Sequence, residues 1–113
     1  MRSRLNNLVL NGTKHATAGL FRHEYEAEGE AIDEVGERQV LLDNDEGAIA
    51  TVVIERVEVH RFDEVPREFA TAEGEGFESL EDWQRGHRAY YAAEGVDVTD
   101  EDQVVCVWFT VER

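Results

Sequence analysis

Leu5, Leu8 and Val9 recur at helical spacing, and Asn11-Gly12 closes that run with residues that tolerate left-handed backbone angles. The pattern predicts a short first helix. From Thr13 to Leu20 the polarity is mixed, with threonine at 13 and 17, which reads as a tight turn leading into a short strand. Glu24 to Glu37 is acidic and broken by two glycines, the signature of an exposed loop. Arg38 to Leu42 predicts a short strand, and Asp43-Asn44-Asp45-Glu46-Gly47 a turn. The β-branched run from Ala48 to Phe62 is longer than a typical strand of about 5 to 6 residues, so a strand that bends and serves two sides of a small barrel is expected.

Asp63 is placed to cap a short helix with Pro66 in its first turn and Phe69 and Ala70 facing inward, ending before Gly74. Ser79-Leu80-Glu81-Asp82 resembles a capping box. Leu80, Trp83, His87, Tyr90 and Tyr91 then give one aromatic-rich helical face, running to about Ala93 before Gly95. At the end of the chain Val104, Cys106, Trp108 and Thr110 alternate with Val105, Val107, Phe109 and Val111, a strand at least partly covered on both faces. The order helix, strand, strand, long strand, two helices, strand predicts an α+β fold with a small, mostly antiparallel β-barrel. At 113 residues, one domain spanning 1–113 is expected.

Composition changes this picture in two respects. A formal charge of -15 on 113 residues is extreme, and it is the surface expected of a protein from a very salty cytoplasm. The alternative is an acidic protein with a basic partner. At about 1 M salt the Debye length is roughly 3 Å, so this charge does not veto RNA, but it supplies no basic footprint for it. The single cysteine, Cys106, excludes an internal disulfide and a cysteine-based metal site. The four histidines lack the spacing of a helical zinc site, so neither metal nor cofactor is expected. With no secretory signal and no long apolar segment, the location expected is cytoplasmic, with no membrane partner and no DNA.

The second respect is Lys14, the only lysine in a chain that otherwise takes every permanently positive side chain as arginine. A flexible ammonium serves as a point charge in a pocket in a way that a guanidinium does not. Lys14 and Thr17, three residues apart, can meet across a tight turn, where the ammonium would lower the cost of polarising the hydroxyl. Glu75, between Gly74 and Gly76, is the most unusual acid of the chain, with Glu73 its nearest competitor. Trp83 and Tyr90 are among the aromatics that could stack a base, and Cys106 reads as a small core residue.

Gly12-Thr13-Lys14-His15-Ala16-Thr17 resembles the Gly-x-Lys-x-x-Thr signature of the ASCH domain, a PUA-like β-barrel family linked to RNA and nucleoside chemistry. Phe62-Asp63-Glu64-Val65, the segment from Phe69 to Gly76, Ser79 to Trp83 and His87 to Tyr91 are similar to blocks of its bacterial and archaeal members. The resemblance implies a barrel pocket where Lys14, Thr17 and Glu75 meet. In small members that hydrolyse N4-acetylcytidine, a threonine of this kind is the nucleophile, a lysine activates it, and a glutamate orients substrate or shuttles a proton. Substrate contacts are implied for Gly12, Thr13, Glu73, Arg88, Trp83 and Tyr90. The chain departs from those hydrolases at Ala18-Gly19-Leu20, where they bear an arginine, and it starts almost at its first helix where many longer members carry a preceding segment.

The expected function is therefore recognition of a nucleobase or nucleoside, with hydrolysis of the amide of an acylated cytidine as its sharpest version. The competing expectation is an RNA-binding module or a ribonuclease, which would leave Arg2, Arg4, Arg22, Arg85 or Arg88 around the pocket to track phosphates.

Overall fold

The computed structural model describes the backbone of residues 2–112 and the side chains of residues 6–112. Helix α1 (Arg2–Leu10) leads into strand β1 (Ala16–Leu20), a π-helical turn (Phe21–Glu26), β2 (Arg38–Leu42) and the long β3 (Ala48–Arg61). A 3₁₀ turn (Phe62–Glu64), α2 (Arg67–Ala72), α3 (Leu80–Ala93) and β4 (Gln103–Val111) complete the order. The helices and strands follow the sequence predicted from hydrophobic spacing.

The last strand in the chain is an inner strand of the sheet. All pairings are antiparallel, in the order β1-β4-β3-β2. Every residue from Val104 to Phe109 is buried, because the two alternating sets face two different cores. Val104, Cys106 and Trp108 pack with Phe62, Phe69, Trp83 and Tyr91 on the side covered by α2 and α3. Val105, Val107 and Phe109 pack with Val9, Val52 and Ile54 on the opposite, concave side. Burial also pushes the Cys106 thiol up to about 12, aided by the negative charges of Glu73 and Glu58, so it is an inert core group.

β3 is 14 residues long and serves both neighbours, pairing with β2 at its start and with β4 from Val52 to Arg61. The register slips between Ile54 and Arg56, which makes Glu55 the extra residue of a β-bulge. A bulge bends its strand and increases the local twist. The sheet thus curls into a half-barrel whose edges are β1 and β2, an open form of the barrel expected. Helix α1 links those edges: it runs into β1, and Asn6 Nδ2 donates to the Leu42 carbonyl of β2 at 2.7 Å.

Local chemistry departs from expectation at two places. The acidic segment after β1 does not begin as a loop, since Phe21–Glu26 forms a π-helical turn whose Phe21 and Tyr25 pack against the concave core. Asp63 does not cap α2 either. Phe62–Glu64 makes its own 3₁₀ turn, Val65 is extended as residues before proline prefer to be, and Pro66 itself stands at the helix N-cap. Asp63 instead pairs with Arg61 at 3.0 Å. Ser79 does cap α3, its Oγ accepting from the Asp82 N–H at 3.1 Å, while the Asp82 carboxylate reaches back to the N–H of Glu78. No helix among the described residues is long and apolar enough to cross a membrane.

Candidate functional site

Gly12, at φ +84°, ends α1, and the chain then passes Lys14 between three elements. The Lys14 N–H donates to Leu8 of α1, the His15 N–H to Ala72 of α2, and the His15 carbonyl accepts from Phe109 of β4, all at 2.9 to 3.0 Å. A backbone tied at three points gives its side chain little freedom of aim. Lys14 is only 7 % exposed, and its ammonium donates to Glu75 Oε2 at 2.8 Å and to the Ala16 carbonyl at 2.9 Å. Glu73 offers its carbonyl at 3.4 Å and its Oε2 at 3.5 Å. A buried ammonium requires such compensation.

The two glutamates arrive by a turn that only glycine can make. Gly74 has φ +65°, and a Cβ there would lie 2.2 Å from the Thr13 carbonyl oxygen. The bare backbone of residue 74 therefore lets the segment close directly on Thr13 and Lys14, setting one glutamate on either side of the ammonium. Gly76 also has a positive φ, of +90°, but open space surrounds it.

Glu73 and Glu75 differ in what else holds them. Glu73 is 2 % exposed, and its Oε1 accepts from Trp83 Nε1 at 2.6 Å and lies 3.3 Å from His87 Nε2. Burial opposes its ionised form, but the His87 hydrogen bond and charge, the Lys14 charge and the Trp83 hydrogen bond outweigh burial and hold Glu73 below the usual carboxylate range. Glu75 is less enclosed, with its side chain 24 % exposed and, among the described residues, only Lys14 bonded to it.

Glu75, Glu73, Lys14 and Thr17 share a cleft of about 360 Å³, walled also by Glu24, Phe77, His87, Tyr90 and Tyr91. Thr17 stands in β1 opposite Val107, on the concave face of the sheet, and is exposed. Lys14 and Thr17 line the same cleft without a hydrogen bond between them among the described residues, because Ala16 and the two glutamates take the ammonium. Tyr90 lies in the cleft and is 56 % exposed. Gly12 lies beside it, in a neighbouring depression that shares Lys14, and Thr13 contributes the carbonyl against which Gly74 packs.

Two residues expected at the site are occupied elsewhere. Trp83 is fully buried and spends its N–H on Glu73, so it offers no ring face to a ligand; His87 stacks on it at 4.1 Å between ring centroids. Arg88 lies over the Phe62 ring, donates to the Val98 carbonyl at 2.8 Å and pairs with Asp100, outside the cleft. The hydrophobic pattern marks both as members of α3 but does not say which way each is turned.

Sequence reasoning missed Glu24, His87 as a partner of Glu73, and a second cleft. That second cleft, about 490 Å³ and largely apolar, lies along the concave face between α1, β2 and β4 and meets the first at Lys14 and Thr17. Nothing marks Glu24 among the 26 acids of the chain. His87, by contrast, sits four residues after Trp83 on the predicted aromatic face, a spacing that allows stacking.

The family model of the ASCH domain matches residues 1–113. Among solved structures, an ASCH domain from Lactobacillus crispatus JV V101 is 31% identical, with a TM-score of 0.83 over 96% of this chain and 70% of that one. A protein from Enterococcus faecalis V583 is 27% identical, with a TM-score of 0.83 over 96% of this chain and 67% of that one. No curated protein gives a significant match. With its half-barrel, its glycine-to-threonine segment leading into β1 and its match along the whole length, the chain belongs to the ASCH domain family, with a PUA-like fold.

Proposed function

We propose that the cleft at Lys14 receives a neutral nucleoside and hydrolyses the amide of an N4-acylated cytosine. The observation that carries this reading is the buried Lys14 ammonium, fixed by Glu75 at 2.8 Å in a cleft that Thr17 also lines. A volume of about 360 Å³ is in the range of small-molecule pockets, roughly 300 to 1,000 Å³. The ring faces of Tyr90 and Phe77 suit a base.

In this reading Thr17 Oγ attacks the acyl carbonyl carbon and its proton passes to Glu75, whose Oε1 has no protein partner among the described residues. The carbonyl electron pair moves onto oxygen, and the charge that develops is stabilised by Lys14, which acts as a fixed cation. Collapse reforms the carbonyl and breaks the C–N4 bond; N4 takes the proton from Glu75 and cytidine leaves. Water then attacks the acyl-threonine with Glu75 again as base, releasing the carboxylic acid and restoring Thr17. Glu73 touches no substrate in this scheme and holds Lys14 in place.

The alternative of a module or ribonuclease gripping RNA phosphates has less support. Arg22 pairs with Asp102, Arg85 with Asp82 and Arg88 with Asp100, and none of them lines the cleft. The side chains of Arg2 and Arg4 lie outside the described residues. The cleft's own acids, Glu24, Glu73 and Glu75 against one lysine, repel phosphate.

The test is to give the protein, in high salt, N4-acetylcytidine and short RNAs in parallel. Turnover of the nucleoside without tight RNA binding is expected. Loss of about 10² to 10³ in kcat is expected for Lys14→Ala, the scale of losing one oxyanion-stabilising donor. Tight RNA binding with no turnover, weakened by arginine substitutions, would reverse the conclusion.

A further inference from the structure

Glu24 is used by nothing in the scheme above, yet it forms part of the cleft wall. It belongs to the π-helical turn that follows β1, an irregularity found often at functional sites. One carboxylate oxygen, Oε2, accepts both from the Leu20 N–H and from the Tyr91 hydroxyl, the latter at 2.9 Å. The other, Oε1, has no protein partner among the described residues.

Gly19 makes the seat for this carboxylate. A Cβ at residue 19 would lie 2.9 Å from the Tyr25 ring and 3.1 Å from Glu24 Oε2, so any larger residue would push the glutamate or the tyrosine out of place. The backbone of β1, the π-helical turn and Tyr91 of α3 thus converge to hold one negative charge at the cleft, across from the Lys14 cluster that already carries Glu73 and Glu75. Lys14 is taken up by the two glutamates nearest it, and His87 lies against Glu73 rather than Glu24. Among the described residues no basic side chain pairs with Glu24, and its remaining oxygen borders the cleft.

From this arrangement we infer that Glu24 sets the charge selectivity of the cleft, accepting an N–H or O–H from a neutral nucleoside and rejecting the same nucleoside once it is phosphorylated. The inference rests on the nucleoside reading of the site and adds to it which form is taken. A partly enclosed carboxylate loses little when a neutral donor replaces water, whereas a dianionic phosphate nearby must be desolvated against it.

The experiment compares kcat/KM for N4-acetylcytidine and for its 5′-monophosphate, in wild type, Glu24→Gln and Tyr91→Phe, at low salt and at about 1 M salt. Wild type should prefer the nucleoside by about tenfold or more at low salt, with the gap narrowing as salt rises. Glu24→Gln keeps an acceptor for Leu20 and Tyr91 and removes only the charge, so the preference should fall to within about threefold, mostly through a lower KM for the phosphate. Tyr91→Phe disturbs the same contact while keeping the charge and should retain the preference. An unchanged ratio in Glu24→Gln, or a ratio lost equally in Tyr91→Phe, overturns the role of Glu24 while leaving hydrolysis standing. Failure of wild type to turn over either compound overturns the nucleoside reading and the inference with it.

Discussion

Four acceptor atoms, Ala16 O, Glu73 O, Glu73 Oε2 and Glu75 Oε2, surround the three protons of the Lys14 ammonium. Each is an oxygen that accepts an N–H, so the ammonium is fixed in position. Glu73 is what makes this arrangement stiff, because Trp83 and His87 fix its other oxygen. Glu73→Gln should lower stability by about 3 kcal/mol near neutral pH, the scale of breaking a buried ion pair. Its folded-state ionisation lies below the ordinary value of 4.5, so the stabilisation is complete above that value and is lost as pH falls through the lower folded one. Denaturant titrations of the two proteins should accordingly differ at pH 7 and converge in acid; equal stability at pH 7 would contradict the anchor role. Gly74→Ala, which meets the Thr13 carbonyl, should cost more than about 3 kcal/mol, whereas Gly76→Ala carries only the roughly 1 to 2 kcal/mol of a left-handed backbone. Equal losses would show that the close approach at Gly74 is not what fixes the turn. At this scale the sequence was informative where a residue type was rare. A lone lysine and a glutamate between glycines pointed to groups that the fold brings together at 2.8 Å, though no spacing could say that Thr17 would be left unbonded or that Trp83 would face Glu73.

The elements were legible for a different reason: each buries an apolar set with a clear period. The alternation from Val104 to Val111 predicted two covered faces, and β4 has them because helices lie on one side and the curled sheet on the other. The length of the β3 run predicted a bend, which the bulge at Glu55 provides. What stayed hidden were elements whose formation depends on tertiary contacts. The π-helical turn at Phe21–Glu26 lies in an acidic stretch with no helical period, and it is held by packing of Phe21 and Tyr25 and by the Glu24 bonds to Leu20 and Tyr91. α3 carries one contribution that is purely local, the Ser79 cap on Asp82. Ser79→Ala should lower stability by about 1 kcal/mol, read as a shift of the denaturation midpoint with unchanged slope. No shift would mean that tertiary packing alone holds the start of α3.

For the molecule as a whole, a charge of -15 on 113 residues means self-repulsion in dilute buffer. Thermal stability should rise as sodium chloride is raised from about 0.05 M toward 1 M, where the Debye length falls to roughly 3 Å. A flat or falling Tm would contradict electrostatic strain as a property of this chain and remove the ground for reading the surface as adapted to salt. The same charge bears on function, since an acidic body with an acidic cleft favours a neutral ligand over a polyanion. The central question is whether the Lys14 cleft breaks an amide bond. The most direct measurement is the initial rate of cytidine release from N4-acetylcytidine by folded wild type, Lys14→Ala, Thr17→Ala and Glu75→Gln, in the salt that gives the highest Tm. Release by wild type and a fall of at least about a hundredfold in each variant are expected. Release that survives all three substitutions, or no release by wild type, would contradict this expectation.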